Sequence, residues 1–238
     1  MKNSVRCMVS ALSAAVLGTG AAFVRSVYFK SALGAEGFLM PRHPLQILFW
    51  AIAAASVLLF GVLSFRKTEA LKQPSQGIFT GIAQILLGIS LGLTVYAMKP
   101  DIHFRTLLRI LGSVGSAALL TDGVFRCLKK NLGMIPHSLF CIFLLLYVVG
   151  MYSMWSNVPE IERILVPAVG MVLLLPLSCE MAAWDSGRGS VERILFLGSA
   201  SLFFCLASLG CPDFEMLHLG GAVWAFTAVM NLRRAGEA

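Results

Sequence analysis

Eight long apolar runs, at about 7–24, 45–65, 77–98, 106–125, 135–155, 164–183, 194–210 and 214–231, take up most of this 238-residue chain. Roughly 20 apolar residues is the length an α-helix needs to cross the hydrocarbon of a bilayer. Lipid offers the backbone no hydrogen-bond partner, and a helix satisfies its own amides within one segment. The expectation is an all-α fold, a polytopic transmembrane helix bundle of about eight spans with short loops. Only 13% of the residues are charged, about half the share that covers a soluble domain. The mean hydropathy is +0.81. Eight crossings at roughly 20 residues each leave no length for a soluble domain, so residues 1–238 read as a single integral membrane domain.

The first run follows Lys2 and Arg6, as the core of a secretory signal would. It is longer than such a core and further runs follow, so a retained helix is expected. The eighth run is the least regular, because Cys211, Pro212, Asp213 and Glu215 crowd its start. Residues 25–44 form the one long connection, a turn-rich segment with room for a small interfacial helix ending near Gly37.

Lys and Arg gather on the cytoplasmic side of spans. With eight crossings, Lys2, Arg6, Arg66, Lys67, Lys72, Arg126, Lys129, Lys130, Arg188, Arg193, Arg233 and Arg234 share one side, twelve in all. Arg25, Lys30, Arg42, Lys99, Arg105 and Arg163 share the other, six in all, and Arg109 falls inside a run. Both termini are therefore expected in the cytoplasm. This topogenic pattern accounts for the net charge of +7 without nucleic acid, which is not expected as a partner. The general look is that of a short multi-pass protein of a cell membrane, the plasma membrane of a bacterium. The bilayer is the first partner, with a second copy or a membrane partner subunit as further ones.

The third run carries the clearest pattern. Gly77, Gly81, Gln84, Gly88 and Gly92 fall within about 80° of one helix face. Small residues on one stripe let a second helix approach closely, and an amide in lipid seeks a partner. A tight helix seam is the first reading, and a solute-lining groove centred on Gln84 is the second. Ala11, Ala15, Gly18 and Ala22 repeat the device in the first run, and Arg109, Gly112, Ser113, Ser116 and Gly123 in the fourth. The three helices are expected to form one closely packed inner set. Pro167 and Pro176 fall in the sixth run, where Pro176 is expected to kink the helix and free the Val172 carbonyl.

Ionisable residues inside apolar spans mark candidate ligand or pathway positions. Arg109 either extends to the headgroups or meets an anion. Asp101 and Arg105 have helical pairing distance. Asp122, His137 and Glu180 lie near the cytoplasmic ends of different spans, where they either converge on a polar mouth or sit apart in the headgroup layer. Asp122 also has Arg126 four residues on. Glu215 and His218 share a face at i,i+3, a spacing used in di-metal bundles that require further carboxylates. None accompanies them, so no metal is expected. Tyr96, Tyr152 and Trp155 suit an outer aromatic belt and Trp184 an inner one.

The six cysteines form no CxxC or Cys/His cluster, and only Cys211 is expected at the outer surface, so neither a disulfide framework nor zinc is expected. A P-loop, a GxSxG elbow and an HExxH pair are absent. No cofactor is implied and an enzyme is not favoured. Three readings remain: a small-solute transporter or the membrane subunit of one, a non-catalytic scaffold or sensor assembling with a partner, and an intramembrane lipid enzyme using Glu180, His137 or the Glu215/His218 pair.

Overall fold

The computed structural model describes residues 3–32, 43–65, 77–98, 102, 104–130, 132–155, 161–211 and 215–235. They form eight helices: α1 (Asn3–Ser31), α2 (Pro44–Ser64), α3 (Ile78–Tyr96), α4 (Arg105–Cys127), α5 (Ile135–Trp155), α6 (Ile161–Asp185), α7 (Val191–Ser208) and α8 (Met216–Ala235). Six of them, α1 to α4, α6 and α7, are long and apolar enough to cross a membrane. The apolar stretches Ile135–Met151 of α5 and Met216–Leu232 of α8 are shorter. Large apolar side chains such as Phe23, Leu58, Phe79, Ile110 and Leu145 point outward. In water such a surface would drive aggregation; in lipid it is the solvated one. The chain is a multi-pass helical membrane bundle.

α1 continues well beyond its apolar run. Arg25 is buried, and its guanidinium lies over Phe29 one turn on and over Phe49 of α2, at 4.8 and 4.9 Å from the ring centres. Tyr28 is buried beside them. Residues 25–31, expected as loop, are helical because cation–π contact and aromatic burial tie the last turns of α1 to α2. An interfacial helix near Gly37, and the charge pair made with Asp101, lie outside the described residues.

α7 and α8 occupy the middle of the bundle. α7 packs against α1, α2, α6 and α8, and α8 packs against α1, α3, α6 and α7. α3 and α4 make the most extensive pairing, and α4, α5 and α6 follow one another around the rim. The five helices α3, α4, α5, α6 and α8 thus surround one side of the molecule, and α1, α2 and α7 build the other. Among the described residues α1 does not pack on α3 or α4, so the single inner set expected of these three helices is not formed. The small-residue stripes make two separate seams instead. On α1, Gly18 meets Phe203 and Leu206 of α7, and Ser10 and Ser199 hydroxyls bond at 2.7 Å. Stripe chemistry tells that a helix will approach another closely, but a glycine accepts any partner.

The second seam joins α3 and α4. A Cβ added at Gly81 would meet the Gly123 carbonyl oxygen at 2.6 Å, and one at Gly123 would meet the Gly81 carbonyl oxygen at 2.8 Å. Each glycine is therefore needed by the other's backbone. Gly88 faces Leu120, and Gly92 faces Ser116. The Ser116 hydroxyl donates to the Gly88 carbonyl at 2.7 Å. Gly77 sits at the N-cap of α3, where its N–H donates to the Thr80 hydroxyl. Gly112 packs against Val95 and Phe143. Ala15 is half-buried on α1 beside the fully buried Ala11 and Ala14.

Candidate functional site

Polar side chains collect at the two ends of the α3, α4, α5, α6 and α8 compartment. At the end where α1 begins and α8 finishes, five side chains from four helices form one chain of contacts. The Gln84 amide nitrogen on α3 lies 3.3 Å from Nε2 of His137 on α5. His137 Nδ1 stands 3.1 Å from an Asp185 carboxylate oxygen at the end of α6, an ion-pair separation without linear hydrogen-bond alignment. That same oxygen accepts from the Arg126 guanidinium on α4 at 2.7 Å. Arg126 donates through Nε to Asp122 at 2.5 Å, one turn back on α4. The second Asp122 oxygen accepts the Leu132 N–H at 2.9 Å and holds the α4–α5 connection.

Every member of this chain is nearly removed from solvent: Asp122 and His137 are 0% exposed, Gln84 2% and Arg126 4%. The Asp185 side chain is 3% exposed. Two carboxylates sharing one guanidinium hold these charges in place, since a lone buried charge costs several kcal/mol. The His137 ring stacks on Trp224 of α8, 5.6 Å between centres. Ser178 of α6 donates to the His137 carbonyl at 2.7 Å. All five helices of the compartment are thereby tied at one level.

At the opposite end Tyr147 of α5 donates to the Glu215 carboxylate at 2.5 Å. Glu215 precedes α8, and its N–H donates to Nδ1 of His218 at 3.1 Å. With Nδ1 accepting, Nε2 carries the ring proton and donates to the Pro167 carbonyl of α6 at 3.0 Å. The Glu215 and His218 side chains thus serve different neighbours: the carboxylate reaches α5, and the ring caps its own helix and fastens it to α6. A pocket of about 260 Å³ opens here, lined by Leu93, Thr94, Ala97, Met98, Ile102, Tyr147, Met151, Glu215 and Met216. Between His137 and Tyr147, ten residues or about 15 Å along α5, the compartment is filled by fully buried Leu87, Leu91, Leu119, Phe140, Phe143 and Leu144.

The remaining candidates lie elsewhere. Arg109 is exposed on the outer face of α4, and Ser113 is exposed with it, because the buried face of α4 centres on Gly112, Ser116 and Gly123. Glu180 pairs with Arg193 of α7 at 2.9 Å and accepts from Ser190 N–H, apart from Asp122 and His137. Pro167 and Pro176 both lie within a continuous α6, and Val172 is exposed. Trp184 is turned inward, 8% exposed and packed beneath Gly189, so it is no belt residue. Cys211 is buried, 3% exposed. Tyr96 is 86% exposed, and the side chains of Tyr152 and Trp155 lie outside the described residues.

Three residues that complete these clusters were not singled out from sequence. Asp185 falls two residues past the expected end of the sixth span, where a carboxylate reads as loop. Tyr147 reads as one more aromatic in an apolar run, and Ser178 as a small residue. An acidic residue at a span end, opposite Asp122 and Arg126 at the same depth, is the one signal that marks Asp185. No protein-family model, no curated protein and no solved structure matches this chain.

Proposed function

We propose that the protein moves a small solute, alone or as the membrane subunit of a transport system, through the compartment bounded by α3, α4, α5, α6 and α8. In this reading the chain crosses a plasma membrane eight times with both ends in the cytoplasm, as the twelve-to-six division of Lys and Arg supports. One observation carries the reading. A buried polar chain from Gln84 to Asp122 and a mostly apolar pocket bordered by Tyr147 and Glu215 occupy opposite ends of the same compartment, with an apolar layer between them. Charged groups at membrane depth are expensive and are kept where they face a path or one another. A scaffold needs tight seams, which α1–α7 and α3–α4 supply, but it does not need a pocket that brings a carboxylate, a phenol and a hydroxyl to one end of the bundle.

The test is sided cysteine labelling. Single cysteines at Met98 and Gln84 are placed in a chain whose six native cysteines are replaced, and a membrane-impermeant thiol reagent is applied to right-side-out and inverted vesicles. Met98→Cys is expected to react from the external face and Gln84→Cys from the cytoplasmic face, with Leu58→Cys, on the lipid-facing surface, as the unreactive control. If both behave like the Leu58 variant from either side, the transport reading falls and the scaffold reading replaces it.

A further inference from the structure

The buried polar chain at the Gln84 end carries unequal charges. Arg126 is one cation, Asp122 and Asp185 are two anions, and their side chains are 4%, 0% and 3% exposed. Among the described residues no lysine and no other arginine pairs with either carboxylate. Glu180, on the same helix as Asp185, is held by Arg193 of α7. With the His137 ring neutral, the sum at this level is one negative charge, and a net charge withdrawn from water is costly. One further positive charge restores the balance.

His137 is the member of the chain that gains such a charge near neutral pH. α6 sets Asp185 against the ring, 3.1 Å from Nδ1, and α4 brings Arg126 and Asp122 behind that carboxylate. α3 contributes the neutral Gln84 amide, α8 the Trp224 indole, and Cys141, one turn along α5, lies on Cys179 of α6. Both neutral neighbours serve either state of the ring. The Gln84 NH2 donates to Nε2 of an uncharged imidazole, and the same amide turned over accepts from Nε2–H of an imidazolium. The indole face, stacked at 5.6 Å and 25°, attracts a cationic ring. A metal ion in that role needs several oxygens, and three of the four carboxylate oxygens already accept from Arg126 or Leu132.

We propose that this cluster binds one proton, held on the His137 ring against the Asp185 carboxylate, and that this proton is the ion coupled to movement of the solute. The first half stands on the charge balance; the second rests on the transport reading above. With the proton bound, the buried charges cancel and an ion pair joins α5 to α6. When the proton leaves, that attraction is lost and the Gln84 amide turns over, so the contacts of α5 with α3 and with α6 change together at one end of the compartment.

Trp224 reports the proton, because an imidazolium stacked on an indole quenches its emission. The full-length chain carrying Trp50→Phe, Trp155→Phe and Trp184→Phe is titrated in detergent from about pH 5 to about pH 9, with far-UV circular dichroism confirming the fold. If that chain does not fold, the wild-type emission minus that of Trp224→Phe gives the same curve. A single transition, quenched on the acid side, is expected; His137→Gln should abolish it, and Asp185→Asn should weaken proton binding at least about tenfold by removing the facing charge. Flat emission, a transition that survives His137→Gln, or an Asp185→Asn variant that holds its proton as tightly as wild type overturns the proposal. So does a curve that moves when sodium chloride replaces choline chloride, which assigns the site to an alkali cation. Coupling is read at the far end of the compartment. The external labelling rate of Met98→Cys, divided by the rate of the same cysteine beside His137→Gln, is expected to differ between about pH 6 and about pH 8; a constant ratio removes the coupling. The two readings fail separately. Sided labelling in a protein whose Trp224 ignores pH leaves transport standing and removes the proton. A His137-dependent transition in a protein whose Gln84 cysteine is closed to both faces keeps the proton site and removes transport.

Discussion

Replacing Gly123 and Gly115 with alanine, one at a time, makes the same chemical change twice on the buried side of α4 and is expected to give opposite results. In an isolated helix, alanine for glycine is worth about 1 kcal/mol in favour of the helix. At Gly115 the added Cβ would lie 3.5 Å from a Leu91 methyl, an ordinary contact, so the propensity gain is kept. At Gly123 the new carbon would stand 2.7 Å from Ile85 Cγ1, 2.8 Å from the Gly81 carbonyl oxygen and 2.9 Å from the Ile85 nitrogen. Two of those atoms are backbone and cannot rotate away, so α3 and α4 must part by several tenths of an ångström. Overpacking of this kind costs about 1–3 kcal/mol. The parting also stretches the bond from Ser116 to the Gly88 carbonyl, now 2.7 Å; such bonds between membrane helices average about 0.6 kcal/mol. Gly123→Ala is thus expected to destabilise by about 1–3 kcal/mol and Gly115→Ala to be neutral or stabilising by up to about 1 kcal/mol. Reversible unfolding in mixed dodecylmaltoside and sodium dodecyl sulfate micelles, followed by helical circular dichroism, measures both. Equal effects would refute the close α3–α4 approach, because only backbone proximity separates the two sites.

Arg126→Met strands the Asp122 and Asp185 carboxylates and is expected to destabilise by about 3–5 kcal/mol; adding Asp122→Asn and Asp185→Asn should restore most of that loss in the same unfolding assay, and a triple variant no better than the single one would show that Arg126 acts through packing. Ser116→Ala removes one interhelical bond and is expected to cost about 0.6 kcal/mol, against no measurable effect for Ser113→Ala on the exposed face. Cys141 Sγ and Cys179 Sγ lie 3.1 Å apart across α5 and α6, so mild oxidation with copper phenanthroline is expected to join them. Trypsin cleavage between the two positions then leaves halves that separate on a gel only after reduction, and separation without reductant would place the two helices in a different register.

The helices were legible in the sequence because lipid imposes one rule on every span: apolar side chains outside and all backbone bonds inside. The same rule hides which helix meets which. Gly81 and Gly88 lie against α4 in the structure, yet nothing in α3 says that its partner is α4 and that α1 is held by α7. Arg25 read as a loop charge because its aromatic partners act only once Phe49 of α2 is alongside. Gln84 and His137 are 53 residues apart in sequence, and Arg126 and Asp185 are 59 apart. His137 reads by itself as a headgroup residue, Gln84 as part of a glycine stripe and Asp185 as loop, and only the depth they share in the bundle makes them one cluster.

The contrast between the two sides of the bundle bears on which element has freedom to shift. α1 and α7 are joined through backbone-close contacts, as at Gly18 with Phe203 and Gly210 with Ala22, and α3 and α4 likewise at Gly81 and Gly123. Such seams have one register, since any slide brings a Cβ onto a glycine. α5 is held differently. Its backbone packs on α4 and α6, while it reaches the central α8 through side chains, by the His137 ring on Trp224 at one end and the Tyr147 hydroxyl on Glu215 at the other. Side-chain links break and reform with a rotamer change, whereas an interlocked backbone does not. If a solute passes from the Thr94 pocket toward Gln84, α5 supplies half of the layer it must part, through Phe140, Phe143 and Leu144, facing Leu87, Leu91 and Leu119 of α3 and α4. The helix that closes the path is the one with no glycine seam among its described contacts to α8, and oxidising Cys141 to Cys179 would fix that helix to α6 one turn from His137. Loss of sided labelling at Gln84→Cys in the oxidised pair, regained on reduction, is the result this argument requires; labelling unchanged by the cross-link would mean that α5 stands still.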